Sequence, residues 1–284
     1  MDNRTLEITT MIGCPLMCTY CPQDELRSVY GDDIKYLTLK NFKEVIDKLP
    51  KDTRLDFSGQ AEPWVNPECT DMFQYAMEQG FRAAIFTTLY NWDETTVHRM
   101  GELLLKYANQ IEIVKIHFPD EKGNMRGWKL TPEWEYAYIG IRAIVRAANI
   151  NYEAMAMSDG GVHPAIKHLE GVGVSHSWSI AAHDRAGTLS ADNIKQQPIQ
   201  FAPRHTKPVR CSKTKFYNQN VLLPNGEVLL CCMDYKKKHV LGNLLETNYQ
   251  DLFTGEGMTR LLELNSSADF SDSLCKSCTD AVPI

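Results

Sequence analysis

From residue 6 to about residue 180 the chain alternates short β-rich apolar runs with longer stretches of helical spacing, the pattern of βα units feeding a parallel sheet. The runs predict strands at Leu6–Ile12, Arg54–Ser58, Arg82–Thr88, Ile111–Phe118, Tyr152–Met157 and Val174–Ile180. Helices are expected near 39–48, 68–79, 94–108, 132–148 and 163–169, with Pro132 placed as an N1 proline. Six strands separated by helices define an α/β fold, either a partial (β/α)6 TIM-like barrel or a doubly wound sheet.

Alternation also sorts the side chains. Leu6, Ile8 and Ile12 share one face of the first strand and Glu7, Thr9 and Met11 the other. Leu55 and Phe57 leave Asp56 and Ser58 opposite, and Val114, Ile116 and Phe118 leave Lys115 and His117. The face away from the helices is therefore polar, which suits a substrate cavity if the sheet closes and solvated strand ends if it stays open.

Prolines 198, 203 and 208 interrupt regular structure, so residues 196–210 read as a linker between a domain at 1–195 and a smaller one at 211–284. In the smaller domain Asn220–Leu223 and Glu227–Leu230 flank Pro224-Asn225-Gly226, a β-hairpin signal, and a helix is expected over 247–264. Among the 284 residues hydrophobic side chains make up 43% and charged ones 23%, a globular mix that excludes a disordered or fibrous chain. The net charge of −6 argues against a protein that grips many phosphates of a nucleic acid. No targeting segment or membrane-length apolar run is present, so a cytoplasmic protein without a membrane partner is expected.

Nine cysteines cluster near the two ends, and in a reducing compartment such clusters read as metal ligands before disulfides. After the first strand, Cys14, Cys18 and Cys21 form a C-x3-C-x2-C run. Three thiolates so placed can ligate three irons of a [4Fe–4S] cube and leave the fourth open. Structural zinc, the rival, wants four ligands, and no further Cys or His stands nearby.

This run, with Tyr20 before its third cysteine, resembles the signature of the radical S-adenosylmethionine (radical SAM) enzymes. Phe57-Ser58-Gly59-Gln60-Ala61-Glu62-Pro63 resembles the motif whose backbone receives the SAM amino group in that family, with Ala61 where glycine is more common. The resemblance implies a partial (β/α)6 radical SAM barrel, SAM as cofactor, and cofactor contacts at Tyr20, Ser58, Gly59, Gln60, Ala61, Glu62, Thr88, His117 and Ser158. It also implies a flavodoxin- or ferredoxin-type electron donor and hydrogen abstraction by a 5′-deoxyadenosyl radical.

Cys211, Gly226 and Cys231 in a C-x14-G-x4-C arrangement, followed by Cys275 and Cys278, resemble the twitch type of SPASM domain, which holds one auxiliary [4Fe–4S] cluster. A four-cysteine zinc site is the alternative reading. Cys232, next to Cys231 on a strand, faces the other way, and Cys69 lies inside a helical stretch; neither is expected to be a ligand.

His183-Asp184-Arg185-Ala186-Gly187 resembles a segment common in SPASM and twitch proteins, making Arg185 a candidate for holding a substrate anion or the SAM carboxylate or for taking part in proton transfer, with an ordinary loop salt bridge as the alternative. Glu7, pointing into the lumen, is the other acid–base candidate, and an inward carboxylate simply paired with Lys115 or Arg185 is the alternative reading. One fully ligated auxiliary cluster suits oxidation of a secondary alcohol of a sugar- or cyclitol-like small molecule. Redox-neutral epimerisation is the first alternative. The second is peptide modification, against which stands the lack of room before residue 6 for a leader-binding domain.

Overall fold

The computed structural model describes residues 4–156, 161–172, 182–190, 199–268 and 272–284. The order of elements begins β1 (Thr5–Ile8), α1 (Gln23–Tyr30), α2 (Leu39–Ile46), β2 (Arg54–Phe57), α3 (Cys69–Glu78), β3 (Arg82–Thr87), α4 (Glu94–Lys106), β4 (Ile111–Phe118), α5 (Pro132–Ala147) and β5 (Tyr152–Ala156). It continues with β6 (Ala182–His183), β7 (Ile199–Gln200), β8 (Val209–Cys211), β9 (Gln219–Leu222), β10 (Glu227–Leu229), β11 (Val240–Asn243), α6 (Glu256–Ser266) and β12 (Ala281–Pro283). Strands β1 to β5 pair in parallel and in chain order. The expected sixth strand, Val174–Ile180, lies outside the described residues.

Local chemistry starts the helices as the pattern predicts. The Thr38 hydroxyl, the Asp93 carboxylate and the Thr131 hydroxyl accept from the backbone N–H groups of Asn41, Thr96 and Trp134. Three expectations shift. Strand β1 stops at Ile8, so the alternation does not carry Ile12 onto the face of Leu6; Ile12 packs with Leu26, Tyr30 and Leu229 instead. The segment expected to be one helix over 247–264 is a 3-10 turn at Tyr249–Phe253 followed by α6, divided at the extended Gly255. Crowding accounts for the glycines around this break, since a Cβ on Gly255 would stand 2.9 Å from the Asp251 oxygen and one on Gly257 2.3 Å from the Val240 oxygen. The 163–169 helix is likewise a 3-10 helix, at Pro164–Val172.

A larger difference concerns the hairpin. β9 lies parallel to β1 on the edge opposite β2, with Leu6 against Asn220 and Ile8 against Leu222. β10 and β11 follow antiparallel, giving one sheet of order β11-β10-β9-β1-β2-β3-β4-β5. β8 and β12 pair separately beside it.

The helix-facing side of this sheet carries the main core. Phe57 of β2 meets Phe73 of α3 edge-on at 5.2 Å and Phe42 of α2 at 6.1 Å, all three fully buried. The other side is polar, and its N-terminal end is closed by ion pairs. Arg54 grips Asp56 at 2.6 Å and Glu112 at 2.8 Å, and Arg82 bonds Glu112 as well. Access is thereby left to the C-terminal ends of the strands, where α/β sheets place their ligand sites.

Truncation of Phe73 to Ala leaves a void against Phe57 that the sheet cannot collapse into. Urea denaturation should show a loss of about 3–5 kcal/mol for Phe73→Ala; a loss below about 1 kcal/mol would contradict this packing.

Candidate functional site

A cleft opens at the C-terminal ends of β1 to β4. Cys14, Cys18 and Cys21 line it together with Tyr20, Ser58, Gly59, Gln60, Ala61, Glu62, Thr88, His117 and Arg185. Every one of these residues was expected from the sequence. Ser158 lies outside the described residues.

The cysteine loop is held from several directions. The Thr19 N–H and hydroxyl both donate to Asn124, at 2.9 and 2.7 Å, and Asn124 is fixed in turn by Asp120. Gly127 packs so close that a Cβ there would lie 2.7 Å from the Pro15 oxygen. Burial pushes the Cys14 thiol up to about 11 and the Cys18 thiol further up. Such thiols ionise only beside a strong positive charge, the condition a metal cluster provides. Among the described residues no three potential ligands converge tightly enough for a single metal ion. Three cysteines around one cleft match the three-ligand set that a [4Fe–4S] cube with one open iron takes, whereas structural zinc wants four.

After β2 the chain must pass over the end of β1. Gly59 permits this with φ +64°, since a Cβ there would sit 2.4 Å from the Thr9 hydroxyl oxygen, and that oxygen accepts from the Gln60 N–H at 3.0 Å. Ala61 is not among the residues with positive φ, so alanine in place of glycine costs nothing sterically at this position. The buried Gln60 side chain lines the cleft with neither its amide oxygen nor its nitrogen hydrogen-bonded, a sign of a polar ligand to be received here.

Glu62 accepts from the Thr87 hydroxyl at 2.6 Å and from the Thr88 N–H and hydroxyl, both at 2.7 Å. Burial outweighs these bonds and raises Glu62 to about 7. His117 is lowered to about 4 by burial, with Lys115 and Arg185 adding to the effect, so its ring is neutral. Glu7 is raised to about 7, chiefly by burial and then by the Asp56 charge. It accepts weakly from Ser58 at 3.4 Å and is hydrogen-bonded by the Cys232 thiol.

Arg185 enters from a turn in which it, Ala186 and Gly187 all have positive φ, at 50°, 52° and 79°. Two consecutive non-glycine residues in that region cost of order 1–3 kcal/mol each, which surrounding structure must support. The side chain is held by the Tyr20 carbonyl at 3.3 Å and lies 5.9 Å from the centre of the Tyr235 ring. Of the two partners expected for Glu7, Arg185 is near enough to stabilise its charge. Lys115 is not its partner; it pairs with Glu153 at 2.6 Å.

Sequence reasoning missed Gln23, Phe86, Thr87, Met125 and Tyr235, which also line the cleft. Gln23 and Tyr235 approach the Cys21 sulfur, at 3.3 and 3.1 Å. Gln23 heads α1, whose Pro22-Gln23-Asp24-Glu25 start was readable as an acidic helix N-terminus. Tyr235 arrives from 214 residues away, with no local signal.

The remaining cysteines make a second constellation. Cys211, Cys231, Cys275 and Cys278 surround a small cavity walled by Tyr217, Leu230, Leu274 and Ala281. Burial raises the Cys278 thiol to about 12, so this donor set too needs a cation to ionise. Cys232 turns the other way, to Glu7, and Cys69 is buried at the start of α3, apart from both sets.

Residues 211–279 match the family model of the SPASM domain, an iron-sulfur cluster-binding domain. The C-terminal part of the chain thus matches an iron-sulfur cluster-binding domain, and the chain as a whole shares the fold of solved proteins that bind AdoMet. BtrN, solved in complex with AdoMet and 2-DOIA, is similar over 100% of this chain and 95% of its own at 17% identity, with a TM-score of 0.61. AnSMEcpe with bound AdoMet is similar over 92% and 83% at 13% identity, with a TM-score of 0.53. SuiB of Streptococcus suis bound to S-adenosylmethionine is similar over 93% and 68% at 11% identity, with a TM-score of 0.50. At such identities the likeness is one of fold. No curated protein matches the sequence. No helix among the described residues is long and apolar enough to cross a membrane.

Glu62 carries a measurable linkage. In the folded, cluster-free chain it keeps its proton to about pH 7, whereas its ordinary value is 4.5. The folded state therefore binds more protons between these limits, and the associated stability is complete below pH 4.5 and lost as the pH rises through 7. Because Glu7 titrates in the same window, the Glu62 part, up to about 3 kcal/mol between pH 4.5 and 8, should be read by urea denaturation as the difference between the wild type and the flatter profile of Glu62→Gln. Identical profiles would contradict the assignment.

Proposed function

We propose that the protein is a radical SAM oxidoreductase acting on a secondary alcohol of a sugar- or cyclitol-like small molecule. The observation that carries this reading is the pairing of an open three-cysteine set at the cleft with a closed four-cysteine set behind it. Three ligands leave one iron free for SAM, while four leave none, which suits the second set to moving electrons. When bound, SAM and its cluster supply the radical that removes the substrate hydrogen, and the auxiliary cluster supplies the acceptor for the second electron.

This chain's own residues do the rest. Cys14, Cys18 and Cys21 hold the first cluster, and the backbone of Ser58 to Ala61 takes the SAM amino group, with the unpaired Gln60 amide available to it. Tyr20, Glu62, Thr88 and the neutral His117 contribute the polar surface for the remainder of the cofactor. Arg185 holds a substrate oxygen. Glu7 takes the hydroxyl proton, a role for which a carboxylate near 7 is well matched. Domain 1–195 would thus hold SAM and substrate, and 211–284 the auxiliary cluster, joined through 196–210. A flavodoxin- or ferredoxin-type donor in the cytoplasm completes the scheme. BtrN, with 2-DOIA, supports the small-molecule substrate class.

One observation favours a second reading. The Cys232 thiol sits on Glu7 and near Arg185, where it could return a hydrogen atom to the substrate in an epimerisation. AnSMEcpe has also been solved with a bound peptide, which keeps peptide modification as a third.

Anaerobically reconstituted protein should hold about eight irons, and the Cys14/Cys18/Cys21→Ala variant about four; four and none would remove the electron acceptor and put epimerisation first. With a substrate identified, Glu7→Gln should lower kcat by about 10²–10⁴-fold. Because the base must be ionised, kcat/KM should rise with pH to a plateau above about 7 in the wild type. An unchanged pH profile in the variant would exclude Glu7 as the base.

A further inference from the structure

The second cysteine set lies under an unusual stretch of surface. Between residues 204 and 215 the chain carries Arg204, Lys207, Arg210, Lys213 and Lys215 and no acidic residue, although the whole protein has a net charge of −6. All five are exposed, and Cys211 stands in their midst. β8 explains the arrangement: Val209 and Cys211 turn inward and Arg210 outward, so cluster ligand and surface charge alternate on one short strand. Lys213 keeps an ion pair with Asp280 at 3.6 Å, which leaves the strip basic overall.

Beside the strip is a groove that includes Lys215, Phe216, Phe253 and Leu262. Phe216 is 48% exposed and Leu262 46%, large apolar groups for open surface. Tyr217 lines both this groove and the four-cysteine cavity, so one aromatic ring is shared between the surface and the cluster site.

We propose that this face docks a small acidic one-electron carrier protein, with the basic strip steering it, Phe216 as the apolar anchor and Tyr217 as the wall across which the electron passes. The inference rests on the oxidoreductase reading, in which one electron reaches the auxiliary cluster for each alcohol oxidised and must leave before the next turnover. No bond forms in the transfer: the auxiliary cluster is oxidised by one electron, the carrier is reduced by one, and the proton remains on Glu7. Opposite charge across such an interface sets the on-rate and the choice of partner, and the apolar centre sets the residence time.

The probe is an acidic plant-type [2Fe–2S] ferredoxin, titrated calorimetrically into the reconstituted full-length protein at low and at physiological ionic strength. Lys207/Arg210/Lys213→Glu should weaken binding at least tenfold and flatten its salt dependence, with iron content unchanged. Phe216→Ala should weaken it severalfold without altering that dependence. As control, Lys40/Lys51/Lys106→Glu makes the same change in net charge at exposed positions elsewhere and should leave binding within about twofold. Equal losses in both triple variants, or none in either, would overturn the docking face. Eight irons in the wild type alongside that result would leave the oxidoreductase reading intact; four irons in the wild type and none in the Cys14/Cys18/Cys21→Ala variant would overturn both.

Discussion

The structure depends on backbone hydrogen bonding along both edges of one four-residue strand. Thr5–Ile8 is parallel to Arg54–Phe57 on one side and to Gln219–Leu222 on the other, partners 165 residues apart in sequence, from Arg54 to Gln219. A strand bonded on both edges cannot shift in register without breaking both ladders, and a slip of one residue would turn Glu7 into the core and Leu6 into the cleft. The strand therefore fixes three things together: where the first cysteine loop emerges, which way Glu7 points, and how the C-terminal hairpin stands relative to the cleft. The Thr9 N–H carries the contact one step further, to the Leu222 carbonyl at 3.0 Å, just where Gly59 crosses over.

Electrostatics then divides the polar side of the sheet into two zones. At the N-terminal end, Arg54, Arg82, Asp56 and Glu112 neutralise one another and seal the sheet. Toward the C-terminal end the buried groups are under-compensated. Glu7 and Glu62 are both raised to about 7 by desolvation, His117 is lowered to about 4, and Cys14 is raised to about 11. A folded protein bears such costs where a ligand or reaction requires them, and here Glu62, His117 and Cys14 line one cleft with a row of sulfurs, while Glu7 is bonded to Ser58 of that lining. Cys232 and Glu7 sit where the two halves of the chain meet, next to the residue that faces the second cysteine cavity.

Several elements were legible because their signals are local. The helix starts near residues 39, 94 and 132, the Pro224-Asn225-Gly226 turn, and the alternation in Leu55–Ser58 and Val114–Phe118 depend on neighbours within a few residues, and the structure keeps them. Cysteine spacing worked for a related reason: ligands two or three residues apart are together in space almost regardless of the rest of the fold. Where periodicity misled, packing had intervened. The helix expected through 247–264 breaks at Gly255 because its start lies against Val240 and Leu241, and Ile12 leaves the face of Leu6 because the strand has already ended.

The sequence by itself determined the α/β class, the two cysteine sets and most of the residues lining the cleft, since each is written in short-range pattern. Only the tertiary structure decided that the C-terminal hairpin continues the sheet through β9, that Lys115 belongs to Glu153 rather than Glu7, and that Tyr235 reaches the Cys21 sulfur from 214 residues away. Those outcomes depend on strand register and on competition among buried charges. Both are set by contacts between distant segments, and no window along the chain contains them.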